Sequence, residues 1–139
     1  MNLKHYTFNS IHRTIKFTRE IELNSQIDFL DVLIKKTNDK FLTTVYRKTT
    51  FKDNYLNFQS HCNKWRKVGL IKTLYHRTYQ ICSPEFFNDE IKNIKEILRK
   101  NGYAETLVKR VIESQSERMN HLKYFGRDKC PVVLQLPNM

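Results

Sequence analysis

The hydrophobic residues of this chain change period once, near residue 50. That change divides it into a sheet-like part and a longer helical part. Before it, apolar residues recur at period two, as in strands. Within Thr14 to Glu22, Ile15, Phe17 and Ile21 share one face, the pattern of a half-buried strand. Ile27 to Lys35 is apolar on both faces, which suits a central strand. Thr37 to Lys40 reads as a turn, and Phe41 to Lys48 as the returning strand. Residues Met1 to Arg13 form a short amphipathic turn with Leu3, Tyr6, Phe8 and Ile11.

Beyond residue 60 the period is helical, and the helices are punctuated. Asn63 can cap a helix from about Lys64 to Cys82, with Val68, Ile71, Tyr75 and Cys82 on one face. Ser83-Pro84 is a restart, with Ser at N-cap and Pro at N1. Phe87, Ile91, Ile94 and Leu98 then recur at helical spacing until Asn101-Gly102, where Gly102 suits a left-handed C′ position. A third helix runs from about Ala104 to about His121, with Leu107, Val108, Val111 and Ile112 inward. The expected class is α+β: a small antiparallel β-meander followed by a three-helix bundle. Of the aromatic residues, Phe17, Phe29, Tyr75 and Phe87 are expected in the core.

Charge narrows the partners. The chain has 139 residues and a formal net charge of +11. An excess of that size implies an anionic partner, nucleic acid or an acidic membrane surface. It is concentrated in Val45 to Cys82, where eight Lys and Arg and two His face a single acid, Asp53. Tyr46, Phe51, Tyr55, Phe58, Trp65, Tyr75 and Tyr79 are threaded among those cations. Cations bind phosphate and flat rings stack on bases, so this segment is a candidate nucleic-acid surface. The residues expected to bind are Arg47, Lys48, Lys52, Tyr55, Lys64, Arg66, Lys67, Lys72, His76 and Arg77. The first helix carries five cations and no acid, whereas the second carries four of each. On its polar arc lie Arg66, Lys72, His76, Arg77 and also Gly69. A mid-helix Gly costs about 1 kcal/mol relative to Ala. Either it opens the backbone to a phosphate or sugar, or the helix starts one turn later.

No catalytic or metal constellation stands out, and no cofactor is expected. Asp28 and Asp31 are three apart in what reads as a strand, so they would point to opposite faces. His61, Cys62, His76 and Cys82 lack the close Cys pairs of structural zinc sites. Three cysteines, odd in number and widely spaced, suit reduced thiols in an intracellular protein. No stretch approaches the roughly 20 apolar residues of a membrane span, and the N-terminal residues lack the apolar run of a signal peptide. Of the two anionic partners, nucleic acid is the one expected, and no membrane.

Several strings resemble a known family. FLDVLI (Phe29 to Ile34), VYRKTTFKDNYLNFQSHC (Val45 to Cys62), GLIKTLYHRTYQIC (Gly69 to Cys82) and NGY (Asn101 to Tyr103) look like the C-terminal part of Penelope-like retroelement reverse transcriptases. Their order and spacing fit as well. NSIHRTIKFTREIE (Asn9 to Glu22) resembles the segment that follows the catalytic motif in that family, and CPVVLQLP (Cys130 to Pro137) the linker toward its endonuclease. Thr49 and Asn63 stand where members commonly carry Pro.

The resemblance implies three parts. Residues 1–53 would be the end of the palm, with a primer-grip-like hairpin around FLDVLI. Residues 54–123 would be a helical thumb, similar to the helix-turn-helix domain of animal sequences, and 124–139 a tail or linker. No Tyr-x-Asp-Asp motif occurs. The implied function is to hold a template–primer duplex, RNA/DNA or DNA, by its backbone without polymerising, in the nucleus. The alternative is a stand-alone helix-turn-helix DNA-binding module, with Glu105, Thr106, Lys109, Arg110 and Glu113 on its recognition helix. A third reading is a decayed reading frame without function.

Overall fold

A computed structural model describes residues 3–124. The segment expected as a tail or linker, 124–139, lies outside the described residues apart from its first residue, as do the side chains of Leu3 and Tyr6. The element order is α1 (Leu3–Ser10), β1 (Gln26–Phe29), β2 (Val32–Lys36), β3 (Phe41–Val45), α2 (Lys64–Ile81), α3 (Pro84–Lys100) and α4 (Glu105–Tyr124). The class is α+β: a three-stranded antiparallel sheet, order β1-β2-β3, followed by three long helices.

The three helices begin and end where local chemistry directs. Asn63 accepts the Trp65 N–H at 3.0 Å and so caps α2. Pro84 opens α3, where its missing N–H costs nothing. Gly102 has φ 83 and closes α3. Its N–H donates to the Arg99 carbonyl and the Tyr103 N–H to the Leu98 carbonyl, each at 3.0 Å, the paired bonds of a Schellman motif. Ile71, Leu74, Tyr75, Ile94, Leu98, Tyr103, Val108, Val111 and Ile112 close the core between α2, α3 and α4.

The strands differ from expectation. Ile27 to Lys35 is not one strand but a hairpin, with Phe29 opposite Val32 and a two-residue turn at Leu30-Asp31. Leu30 takes φ 54, an unusual conformation for a bulky residue, and its side chain is exposed. The Tyr46 N–H donates to the Asp31 carbonyl at 2.8 Å, tying the turn to the chain beyond β3. Asp28 and Asp31 are therefore not strand neighbours of opposite face; one lies in β1 and the other in the turn.

Thr14 to Glu22 is not a strand. A strand needs an edge to pair with, and only Leu23 bridges to Gln26, around a turn in which Asn24 and Ser25 both have positive φ. Phe17 instead exchanges backbone hydrogen bonds with the Asn9 side chain. Ile15, Phe17, Ile21 and Phe29 are exposed, so the core expected at Phe17 and Phe29 is not there. Tyr75 is buried, and Phe87 is half-buried against it with ring centroids 6.1 Å apart.

The sheet docks on the helices through β3. The Thr43 N–H donates to Ser83 Oγ at 2.9 Å, the Thr43 hydroxyl donates to the Ile81 carbonyl at 2.6 Å, and the Ser83 N–H donates to the Thr43 carbonyl at 2.8 Å. The Ser83 hydroxyl thus serves the sheet and makes no cap bond to α3. Arg47 reaches from beyond β3 to the Glu90 carboxylate on α3, one bond at 2.9 Å and a second beside it.

Candidate nucleic-acid interface

The residues before α2 are fastened to the end of α3. Asn101, nearly buried, uses its side chain three ways. It accepts the Tyr55 N–H at 3.1 Å and donates to the Asp53 and Ile97 carbonyls at 2.8 Å each. The Tyr103 hydroxyl donates to the Leu56 carbonyl at 3.0 Å, and its ring meets Phe58 edge-on. Burial pushes the Tyr103 phenol above its ordinary pKa. The Asn101-Gly102-Tyr103 string is therefore a structural clasp that holds residues 53–58 against the end of α3.

Successive residues turn by about 100° around a helix axis. On α2, Lys67, Ile71, Leu74, Tyr75 and Thr78 face inward. Lys64, Trp65, Arg66, Lys72, Thr73, His76 and Gln80 are exposed. Gly69 lies opposite the centre of the buried face. A Cβ added there meets nothing within 4 Å. The helix starts at Lys64, so Gly69 is interior, and the reading in which α2 begins one turn later falls.

The expected binding residues divide. Lys48, Lys52, Lys64, Arg66, Lys72 and His76 are exposed. Arg47 and Lys67 are not free cations, and this corrects the sequence reading. The Glu90 carboxylate holds the Arg47 guanidinium and raises its pKa further. Lys67 is buried, and its ammonium donates to the Phe58 and Ser60 carbonyls at 2.6 and 2.7 Å. Arg77 is half-buried and pairs with Asp31 at 3.3 Å, joining α2 to the β1–β2 turn. Tyr55 packs against the core and meets the Phe51 ring edge-on. Lys48 and Lys52 lie on the segment between β3 and α2, not on the helix.

Trp65 was missed as a site residue. It is 80% exposed on the first turn of α2, between Lys64 and Arg66. The signal was available: a helical wheel sets Trp65 away from the Val68, Ile71 and Tyr75 face. Among the described residues no His, Cys, Asp or Glu cluster could hold a metal ion. A cleft of about 400 Å³ between α3 and α4 is lined by Lys95, Arg99 and Lys109, but also by Glu96 and Glu105. Its mixed charge suits phosphate less than the acid-free α2 stripe.

Residues 54–113 match the family model of the animal helix-turn-helix domain. The match covers α2, α3, the first part of α4 and the clasp, but not the sheet. A helix-turn-helix domain points to nucleic-acid binding as a class. No curated protein and no solved structure gives a significant match. No helix among the described residues is long and apolar enough to cross a membrane.

Proposed function

We propose that this chain is the duplex-holding, non-catalytic part of a Penelope-like reverse transcriptase, acting in the nucleus on a template–primer backbone. The observation that carries the binding reading is the exposed side of α2, where Arg66 and Lys72 stand on the outer stripe and Lys64 is exposed on the first turn, with no acid on the helix. Phosphate contacts of this kind position a duplex without reading its sequence. The retroelement origin rests on the family resemblance of the sheet and helix strings, and the docking of β3 on α3 suits a palm end carried on a thumb. The isolated chain does not polymerise, because polymerisation needs carboxylates that hold two metals and the sequence has no Tyr-x-Asp-Asp motif.

A salt titration of a labelled duplex tests the reading. Each phosphate contact contributes about −0.7 to −0.9 to the slope of log affinity against log salt, so three to five contacts give roughly −2 to −4.5. Replacing Arg66 and Lys72 together with Ala flattens that slope by about one to two units for every sequence alike. A flat dependence in the unaltered chain refutes the reading. Primer extension by the purified chain with Mg²⁺ or Mn²⁺ refutes its non-catalytic part.

The second reading, a stand-alone helix-turn-helix module, is favoured by the extent of the family match, which stops short of the sheet. Such a module reads base edges from its recognition helix. Changing Lys109 or Arg110, both exposed on α4, would then shift the preferred sequence, and the α2 changes would be mild.

A further inference from the structure

We infer that the outer stripe of α2 holds an unpaired nucleotide, with Trp65 stacked on its base and Gly69 beneath its sugar-phosphate. The inference rests on the nucleic-acid reading above and names the part of the ligand that the stripe takes.

Three observations converge. Trp65 exposes four-fifths of its surface, yet its backbone is held by the Asn63 cap on the first turn of a helix whose other face is core. A large ring carried on a fixed first turn and left open to water offers its face to a flat ligand. A base offers a face for stacking when it is unpaired, and stacking is tolerant of which base it is. One turn further, about 5–6 Å along the axis, Gly69 leaves the helix backbone uncovered. A mid-helix glycine destabilises relative to alanine, and packing does not demand it here, because a Cβ would meet nothing within 4 Å. The Thr73 hydroxyl donates back to the Gly69 carbonyl at 3.0 Å, the ordinary back-bond of a helical Thr to the residue four before it. Third, Arg66 and Lys72 are exposed along the same stripe and no acid lies on the helix. The ring and the open backbone thus lie one turn apart on a stripe flanked by Arg66 on one side and Lys72 on the other, so a nucleotide stacked on Trp65 has its sugar-phosphate within reach of both cations.

Trp65 is the sole tryptophan of the chain, so intrinsic emission reports on this place alone. The full chain is titrated with oligo(dT) and with a blunt hairpin duplex at low salt, following both emission and the anisotropy of a label on the nucleic acid. Oligo(dT) should quench the emission along its binding curve, and the blunt hairpin should bind without quenching. Trp65→Ala should lower the preference for oligo(dT) over the hairpin by roughly 5- to 150-fold, the range of one base stack, and Trp65→Phe should restore part of it. Gly69→Gln should raise the thermal midpoint and still weaken oligo(dT) binding, a pairing of effects that a purely structural glycine cannot give. Binding of both ligands with unchanged emission and an unchanged preference in Trp65→Ala overturns the inference and leaves backbone binding standing. The same holds if Gly69→Gln binds oligo(dT) as the parent does. Absence of binding to either ligand at low salt overturns both readings.

Discussion

Arg47 and Glu90 give the sharpest test of how the sheet is held to the helices. Glu90 is 4% exposed, and both of its carboxylate oxygens accept from the Arg47 guanidinium. Breaking such a pair by removing one partner leaves an uncompensated buried charge, which costs about 3–5 kcal/mol. Arg47→Ala should therefore lower the unfolding free energy by that amount. Replacing both groups by apolar residues of similar volume is often neutral or stabilising, so Arg47→Met with Glu90→Leu should recover most of the loss. Urea unfolding followed by circular dichroism measures both, and a double-mutant cycle isolates the coupling. Arg47→Ala should also leave the salt slope of binding unchanged, because its guanidinium is engaged within the protein. A loss below about 1 kcal/mol, the range of exposed pairs, refutes the reasoning. So does a double variant no more stable than Arg47→Ala.

Ile94 is 1% exposed in the helical core, so Ile94→Ala should cost about 2–5 kcal/mol by denaturant unfolding. Leu30 holds φ 54 with its side chain 81% exposed; Leu30→Asn should raise stability by about 1 kcal/mol in the same assay, because Asn tolerates that conformation. Burial pushes the Cys82 thiol above its ordinary pKa, which starves it of thiolate at neutral pH. In a Cys130→Ser background, half-buried Cys62 should react with iodoacetamide at least about tenfold faster than Cys82, as mass spectrometry of the labelled peptides will show. A group whose folded pKa is raised supports the fold at lower pH and loses that support as pH rises through the folded value, so Cys82→Ser should be relatively less harmful in alkali than at neutral pH.

The helices were legible because their boundaries are local. Asn63, Pro84 and Gly102 act on backbone groups within four residues, so the sequence beside each boundary contains its cause. The strands were less legible because alternation records a face and not a partner. Ile15, Phe17 and Ile21 alternate as a strand would, but no neighbouring edge pairs with them. Leu30-Asp31 carries none of the Asn-Gly or Gly chemistry of a tight hairpin, so periodicity ran straight through it. What bends the chain there is distant: the Tyr46 N–H on the Asp31 carbonyl and Arg77 beside its carboxylate.

The binding face depends on separating cations that face solvent from cations the fold uses. Lys67 lies four residues before Ile71 and seven before Leu74, so the helical wheel alone turns it inward, and the carbonyls of Phe58 and Ser60 receive it there. Arg47 could not be sorted that way, because its partner Glu90 is 43 residues distant. Arg77 falls at the edge of the stripe and is drawn to Asp31. Subtracting these three leaves Arg66 and Lys72 on the outer stripe of α2, beside an open ring and an open backbone, with Lys64 exposed on the first turn. Counterion release follows the phosphates actually neutralised. The slope of a salt titration is therefore set by that stripe and by whatever Lys48 and Lys52 add, and not by the net charge of +11.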